Sequence, residues 1–589
     1  MGSKLHRREF LLGSGGIGVA SVTGCTSSAI NGSEEPADAE DGTPSAVVSQ
    51  HHLATDAGVD VLEAGGNAAD AAVAVACALS VVEPWFSSAL GGGTWALYYD
   101  AEEEAVTSLD GVGPVGSEAT PVDYEERAGD AGMHQSIVPG AWDGWMVWLD
   151  RYGSLELDAV LSQAITLARD GYPASEGMVS WLDRDASLIE ERPDAAAIYA
   201  PDGELVSEGD TVYQHDMADT FEGLADAYES RREEGRTAAF QAARDHFYRG
   251  PLAEAIVEFS DERGGYLTLD DFHEFEAELV EPIRIEYDED VQVYQNPPNS
   301  QGITQLLALN VLKGYELSEL DPVDAVHVQV EAIKLAFADR YHHVGDPDRI
   351  DFPVAELLDD EYAAGQRDRI DMETAMEWPL DSGLTESLAL DTDADHTTTF
   401  HVVDGEGNAA AVTTSLGAQF LVIGDTGIHL NNRMRMLALE DDDPNRLTPG
   451  YKVRHTSNPY MALRDGRPYI LGGTTGVDTQ PQGQTQQFLH VAEFGRDAQA
   501  AIDHPRFTST AFPSTQYPYE AANTLQMESE FPSEVIEELE ERGHDVEVGI
   551  GSFGTATAIV VEEDGADIQV GAESRRPTPA GRVVESDGE

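Results

Sequence analysis

Asp395-His396-Thr397-Thr398-Thr399-Phe400-His401-Val402-Val403-Asp404-Gly405-Glu406-Gly407-Asn408, running on into residues 409–415, is the stretch on which the fold turns. Threonine, valine and phenylalanine suit a pleated, packed strand. Asp404 to Asn408, with two glycines, is a turn signal, and residues 409–415 return as a second strand. The stretch therefore predicts a β-hairpin whose first strand opens at Thr397. By composition alone it is a strand and nothing more.

Outward from this hairpin the chain divides by pattern. Upstream, helical periodicity dominates: residues 55–64 closed by Gly65-Gly66, 67–82, 155–170, 217–234 followed by Gly235, 251–262 and 323–341. Glycine turns such as Gly91-Gly92-Gly93 separate helices from strands such as 94–99. Downstream, hairpins take over: 459–463 with 468–471 about Asp465-Gly466, and 555–561 with 567–570. A helix-rich part followed by a hairpin-rich part predicts an α+β fold with sheet packed between helices. There is no fixed-period repeat.

The 589 residues carry 110 Asp plus Glu against 34 Lys plus Arg, a formal charge of −76. Only Lys4, Lys313, Lys334 and Lys452 are lysines. Nucleic acid is excluded as a partner, since phosphate binding needs concentrated positive charge. A polybasic membrane surface is excluded on the same ground. With 41% hydrophobic residues and dispersed acids, the chain is not an acidic disordered one. Such a charge repels itself at low salt, whereas a Debye length of about 3 Å at 1 M salt screens most of that repulsion. The composition resembles that of the acidic, lysine-poor proteins of haloarchaea.

The N-terminus reads as an address. His6-Arg7-Arg8-Glu9-Phe10-Leu11-Leu12 is a twin-arginine pattern, and the apolar stretch after it is too short and too rich in Gly and Ser to span a membrane. Val22-Thr23-Gly24-Cys25 resembles a lipobox that would lipidate Cys25. Residues 1–25 are thus a Tat signal with lipobox and 26–44 a flexible acidic tether. The expected destination is the extracellular face of the cytoplasmic membrane, with the membrane met only through the lipid. The other cysteine, Cys77, lies in an apolar run and reads as a buried small hydrophobe. No disulfide framework or cysteine zinc site can be built. The histidines show no His-Glu-x-x-His spacing, so no metal is expected, and no cofactor is implied.

Several ordered motifs resemble the gamma-glutamyltransferase superfamily over residues 46–584. They are Glu63-Ala64-Gly65-Gly66-Asn67-Ala68-Ala69-Asp70-Ala71-Ala72-Val73-Ala74, Leu90-Gly91-Gly92-Gly93, and Pro297-Pro298-Asn299-Ser300-Gln301-Gly302. Further along stand Glu331-Ala332, Ala338-Asp339-Arg340, Gly345-Asp346-Pro347, Gly473-Thr474-Thr475-Gly476 with Gln480-Pro481-Gln482, and Ala501-Ile502-Asp503-His504-Pro505-Arg506-Phe507. The resemblance implies an N-terminal nucleophile hydrolase, an αββα four-layer sandwich whose precursor cuts itself before a threonine. That point corresponds here to the His396–Thr397 bond, dividing a large-subunit part, 45–396, from a small-subunit part, 397–589. The two parts would stay associated. Cutting frees an α-amine, whose unperturbed pKa near 8 suits it to activate the Thr397 hydroxyl. The resemblance also implies oxyanion donors at Gly476 and Val477, the latter departing from the family's glycine, and a supporting hydroxyl at Ser415.

The departures concentrate in substrate recognition. Relatives that bind gamma-glutamyl groups hold the α-carboxylate with an arginine; here Leu109-Asp110-Gly111-Val112-Gly113-Pro114 has none. They hold the α-amine with acids where this chain has Asn431-Asn432-Arg433-Met434-Arg435-Met436-Leu437, and a family asparagine is replaced by Gly417. His455-Thr456-Ser457-Asn458-Pro459 resembles the branch that includes oxamate amidohydrolases and YwrD-like and acylase-like members. Asn432, Arg433, Arg435, His455 and Thr456 are therefore candidate substrate-binding residues, Arg being suited to bidentate carboxylate contact. The alternative for the two arginines is surface pairing with residues 440–443. Three functions stand open. The family default is acyl transfer or hydrolysis on gamma-glutamyl compounds such as glutathione. The others are a small-amide amidohydrolase or acylase of the oxamate type, and an inactive lipid-anchored binding protein on the same scaffold.

Overall fold

A computed structural model describes residues 43–382, 397–417, 419–516, 521–549, 553–562, 565 and 567–585. The expected signal, Cys25, most of the tether and His396 lie outside the described residues.

Thirteen strands build two sheets. In chain order they are β1 (Ser45–Ser49), β2 (Gly93–Asp100), β3 (Ala105–Gly111), β4 (Glu278–Val280), β5 (Ile283–Glu286), β6 (Val291–Gln295), β7 (Thr398–Val403), β8 (Ala409–Ser415), β9 (Tyr460–Arg464), β10 (Arg467–Thr474), β11 (Ala556–Val561), β12 (Ile568–Ala572) and β13 (Ala580–Val584). The first sheet runs β13-β1-β7-β8-β2-β3-β4 and the second β12-β11-β10-β9-β6-β5, antiparallel throughout. The expected hairpins are present. At the β9–β10 turn Asp465 and Gly466 both have positive φ, 51° and 78°, as the tight turn that matches strand twist requires.

Side-chain alternation sorts each sheet into two faces. Along the first sheet Val47, Ala96, Tyr98, Phe400, Val402, Ala410 and Val412 pack into a helix-side core. Their neighbours Ala46, Val48, Leu97, Tyr99, Val403, Ala409 and Ala411 meet Met461, Leu471 and Ile559 of the second sheet. The sheets approach closely where β7 crosses β10: a Cβ on Gly473 would collide with the Thr399 side chain. Helices α1 (His52–Glu63) and α2 (Ala68–Val82) cover the first sheet, with α3 (Ala141–Tyr152) against β3. Helices α4 (Ile303–Leu312) and α6 (Thr479–Ala492) cover the second, with α5 (Pro322–His343) behind α4. This is the expected αββα sandwich.

Helix α2 shows why the sequence folds this way. Asn67 and Asp70 form a capping box at its start, and all of its residues are buried, as its all-round apolar composition demands. The predicted helix 217–234 is shorter, His215–Glu229, with a separate 3₁₀ turn Arg232–Glu234 before Gly235 at φ 114°. The two sides of the expected cleavage point interlock. Strands β7 and β8 lie between β1 and β2, and β1 lies between β13 and β7. A cut before Thr397 would break none of the described strands, and the two parts would stay joined by the hydrogen bonds of the first sheet.

Candidate active site

Thr397 stands one residue ahead of β7, so its side chain falls on the same side as that of Thr399, toward the second sheet. It is almost wholly buried. Its Oγ1 lies 3.3 Å from Ser415 Oγ and accepts a hydrogen bond from Gln480 Nε2 at 3.2 Å. Ser415 ends β8, and its own hydroxyl accepts from Arg433 Nη1 at 2.7 Å. A cation thus polarises the hydroxyl next to the nucleophile candidate, which stabilises negative charge developing on either oxygen.

Gly476 and Val477 form the turn between β10 and α6. Both have positive φ, 101° and 46°. Among the described residues neither N–H has a hydrogen-bond acceptor, although the backbone around them is paired: Thr475 N–H donates to Thr555 O and Thr479 N–H to Gly476 O. Two free N–H groups directly before a 14-residue helix suit an oxyanion, since the helix N-terminus favours negative charge. The turn is braced from behind. Gln301 Nε2 donates to Val477 O at 2.8 Å and to Thr456 O at 2.9 Å, while its Oε1 accepts from Arg340. Arg340 also pairs with Asp478. Gln480, in the first turn of α6, ties the loop to the nucleophile.

The 3₁₀ turn Arg433–Met436 carries the two unusual arginines. Asn431 anchors it, donating to Gly91 O and Ile137 O and accepting from Ile137 N–H. Arg433 is fully buried and, among the described residues, bonds only neutral groups, Ser415 Oγ and Asn432 Oδ1. Burial and then the neighbouring Arg435 push its pKa down to about 9. Arg435 is partly buried, and burial lowers it too, with Tyr124 opposing and Arg184 adding. Among the described residues the alternative pairing of these arginines with residues 440–443 is not seen, and Asp441 pairs with Arg446. Gly417 completes the arrangement. A Cβ there would strike Asn432 Oδ1 and Arg433 Nη2, so the guanidinium fills the space that a side chain at 417 would need.

His455 is buried beside Gly93, the cross-strand partner of Ser415. Its Nδ1 accepts from Ser457 N–H, which leaves Nε2 as an unpartnered donor. Burial and then Arg433 hold its pKa well below the ordinary value, so the ring is neutral. Thr456 faces Met436 and takes Gln301 through its carbonyl. In the stretch 109–114, which has no arginine, Asp110 is engaged with Lys452 at 2.6 Å.

Thr397, Ser415, Arg433 and Asn432 are thus brought into one bonded cluster, with Gly476, Val477 and Thr456 joined to it through Gln480 and Gln301. Gln480, Gln301 and Arg340 were not singled out as site residues in the sequence, though they sit inside quoted motifs; their amide and guanidinium ends gain meaning only when the loop and strand meet. Another residue without a local signal is Glu83, fully buried near Thr398 and lifted to about 8 by burial, with Arg576 and Thr398 opposing. The expectation of no metal rests on sequence spacing, which passed over one group. His327 and Glu331, four apart on α5, meet His544. That group is a closed polar network: His544 and His327 are hydrogen-bonded at 2.9 Å and Lys334 neutralises Glu331 at 2.8 Å.

Comparison with known proteins agrees with this geometry. Residues 54–583 match the Gamma-glutamyltranspeptidase family model. The chain is 35% identical to the glutathione hydrolase-like YwrD proenzyme of Bacillus subtilis, over 91% of this chain and 97% of that one. It is 30% identical to the oxamate amidohydrolase proenzyme of Klebsiella pneumoniae, over 88% and 94%. The solved cephalosporin acylase from Bacillus halodurans superposes with a TM-score of 0.80 at 30% identity, covering 95% of this chain and 98% of that one. A two-sheet sandwich with a buried threonine at a strand start, and a family match over residues 54–583, make this chain an enzyme that belongs to the gamma-glutamyltranspeptidase family.

Proposed function

We propose that Thr397 is the nucleophile, that it is released by cleavage of the His396–Thr397 bond, and that the mature enzyme takes an acyl group from an amide. In the precursor the Thr397 hydroxyl attacks the carbonyl before it. Hydrolysis of the resulting ester frees the α-amine. In the mature enzyme that amine accepts the hydroxyl proton as Oγ1 attacks the substrate carbonyl. The oxyanion sits on the Gly476 and Val477 N–H groups, the amine leaves with the proton, and water or another amine takes the acyl group. Ser415, held by Arg433, supports the nucleophile oxygen. The observation that carries this is the bonded set Ser415–Thr397–Gln480, with two N–H donors in the adjoining turn that have no partner among the described residues. A denaturing gel tests it: two fragments in place of one 63.5 kDa chain, the smaller beginning at Thr397, support it, and an uncut chain in molar salt sinks it.

Within this chemistry gamma-glutamyl compounds are the family default, and a small-amide or acylase specificity is the reading the pocket favours. Residues 109–114 have no arginine and residues 431–437 no acid, so both ends of an amino-acid clamp are missing, and a substrate charge left buried without its partner costs roughly 1–3 kcal/mol or more. We also propose export by the Tat route and anchoring through Cys25, with function in concentrated salt. Membrane fractionation of a Cys25→Ser chain tests the anchor; protein that stays with the membrane refutes it.

A further inference from the structure

We propose that Arg433 is the carboxylate receptor of this site and that the acyl donors are half-amides of short dicarboxylic acids (oxalyl, malonyl or succinyl amides) and not gamma-glutamyl amides. The inference rests on the assignment of Thr397 as nucleophile.

Three observations carry it. First, Arg433 is fully buried, and among the described residues it meets no carboxylate. Among the described residues its Nε has no partner. In a chain with 110 acids the described residues leave this guanidinium without one, and a buried charge without its opposite is expensive unless a ligand supplies it. Second, the position is built for this residue. Gly417 makes room for the guanidinium, Asn432 orients Nη2, and Asn431 fixes the turn. His455 Nε2, also buried and unpartnered, offers a neutral donor near the same place. Third, the reach is short. Two hydrogen bonds in series, 2.7 and 3.3 Å, put Arg433 Nη1 within about 6 Å of Thr397 Oγ1. A carbonyl carbon poised for attack lies roughly 3–3.5 Å from the nucleophile. An anion held by Arg433 is then close to the scissile carbonyl, as in acyl groups with no carbon, one or two between carbonyl and carboxylate. A gamma-glutamyl group places three carbons there and adds an ammonium, which Arg433 and Arg435 would repel.

The reaction balances as hydrolysis. Thr397 Oγ1 forms an ester to the acyl carbonyl, the C–N bond breaks and the amine leaves protonated. Water then cleaves the ester to give the dicarboxylate and the free threonine. Because the receptor is buried, molar salt screens it far less than it screens the surface.

The test uses mature enzyme in molar KCl. The substrates are 4-nitroanilides: oxalyl, malonyl and succinyl half-anilides, their uncharged isosteres such as the butyryl anilide, and the gamma-glutamyl anilide. The best half-anilide is expected to exceed its isostere by about 100-fold in kcat/KM. Arg433→Gln should compress that ratio to below about tenfold while slowing the uncharged substrate far less, and Arg433→Lys should fall between. A purely structural Arg433 would lower both substrates together and leave the ratio alone. Should Arg433→Gln fail to fold, wild-type inhibition decides: oxalate, malonate or succinate should compete against the uncharged anilide at concentrations at least about tenfold below acetate. A preference for the uncharged or gamma-glutamyl anilide, or dicarboxylates no better than acetate, overturns the inference while leaving Thr397 as nucleophile. Turnover that survives Thr397→Ala, or no turnover of any anilide, overturns both.

Discussion

Two buried arginines sit on either side of the oxyanion turn, and they are furnished in opposite ways. Arg340, behind the turn, pairs with Asp478, bonds Gln301 and lies over the rings of Phe337 and Phe512. Arg433, on the side of Thr397 and Ser415, has two neutral acceptors and, among the described residues, no acid. Burial lowers both, Arg340 to about 10 and Arg433 to about 9, but in Arg340 Asp478 is the chief opposing influence and in Arg433 Arg435 deepens the fall. Elsewhere the chain is generous with counter-ions: Lys313, Lys334 and Lys452 are each ion-paired. The difference lies in what each guanidinium holds: Arg340 is fixed by an acid and braces the turn, whereas Arg433 is held by neutral groups beside the nucleophile candidate and keeps bonding capacity for a ligand.

The largest break in this comparison comes from the group both arginines serve. Thr397→Ala should abolish self-cleavage and turnover together, read on a gel and in an amide assay. Cleavage persisting in Thr397→Ala would move the junction elsewhere. Ser415→Ala removes only the supporting hydroxyl, and turnover should slow without being lost, because Gln480 and the α-amine remain.

Next in size is stability. Arg340→Met strands Asp478 and should cost about 3–5 kcal/mol, seen as a large drop in Tm. Arg433→Met removes an uncompensated charge and strands only neutral acceptors, so Tm should hold or rise while turnover falls. Equal losses in the two variants would show that Arg433 is as structural as Arg340.

Glu83 offers a smaller, pH-dependent contrast. Its folded pKa, about 8, lies above the ordinary 4.5, so the folded state holds its proton more tightly. Its contribution is fully present below about pH 4.5 and is lost as pH rises through about 8. Glu83→Gln should therefore flatten the decline of Tm over that window, the surface charge being common to both chains. Parallel Tm curves would remove Glu83 from the balance.

Much of this was legible in the sequence. The hairpin through Thr397, the apolar helix after Asn67 and the Asp465-Gly466 turn follow from local propensity and period, and the ordered motifs carried the family and the residues Thr397, Ser415 and Gly476. What was not legible depends on contacts across the fold. Gln480 and Thr397 are separated by 83 residues, His327 and His544 by 217, and no local pattern announces either pair. The departures Gly417 and Arg433 were visible one at a time; that one makes room for the other appears only when β8 and the 3₁₀ turn are brought together.

Val477 is the smallest and sharpest case. The family's glycine at this position tolerates a left-handed backbone, whereas a β-branched residue at φ 46° pays for it, roughly 1–2 kcal/mol. Gln301, Arg340 and Asp478 hold the turn in that conformation from behind. Val477→Gly relieves the strain but loosens the unfolded chain, which takes back about 0.5–1 kcal/mol. The net should be a gain of no more than about 1.5 kcal/mol, a small upward shift in Tm, with turnover preserved because the donor is a main-chain N–H. A loss of turnover with a gain of stability would mean that the valine side chain itself shapes the pocket, and that the brace behind the turn holds a contact with substrate as well as a hydrogen-bond donor.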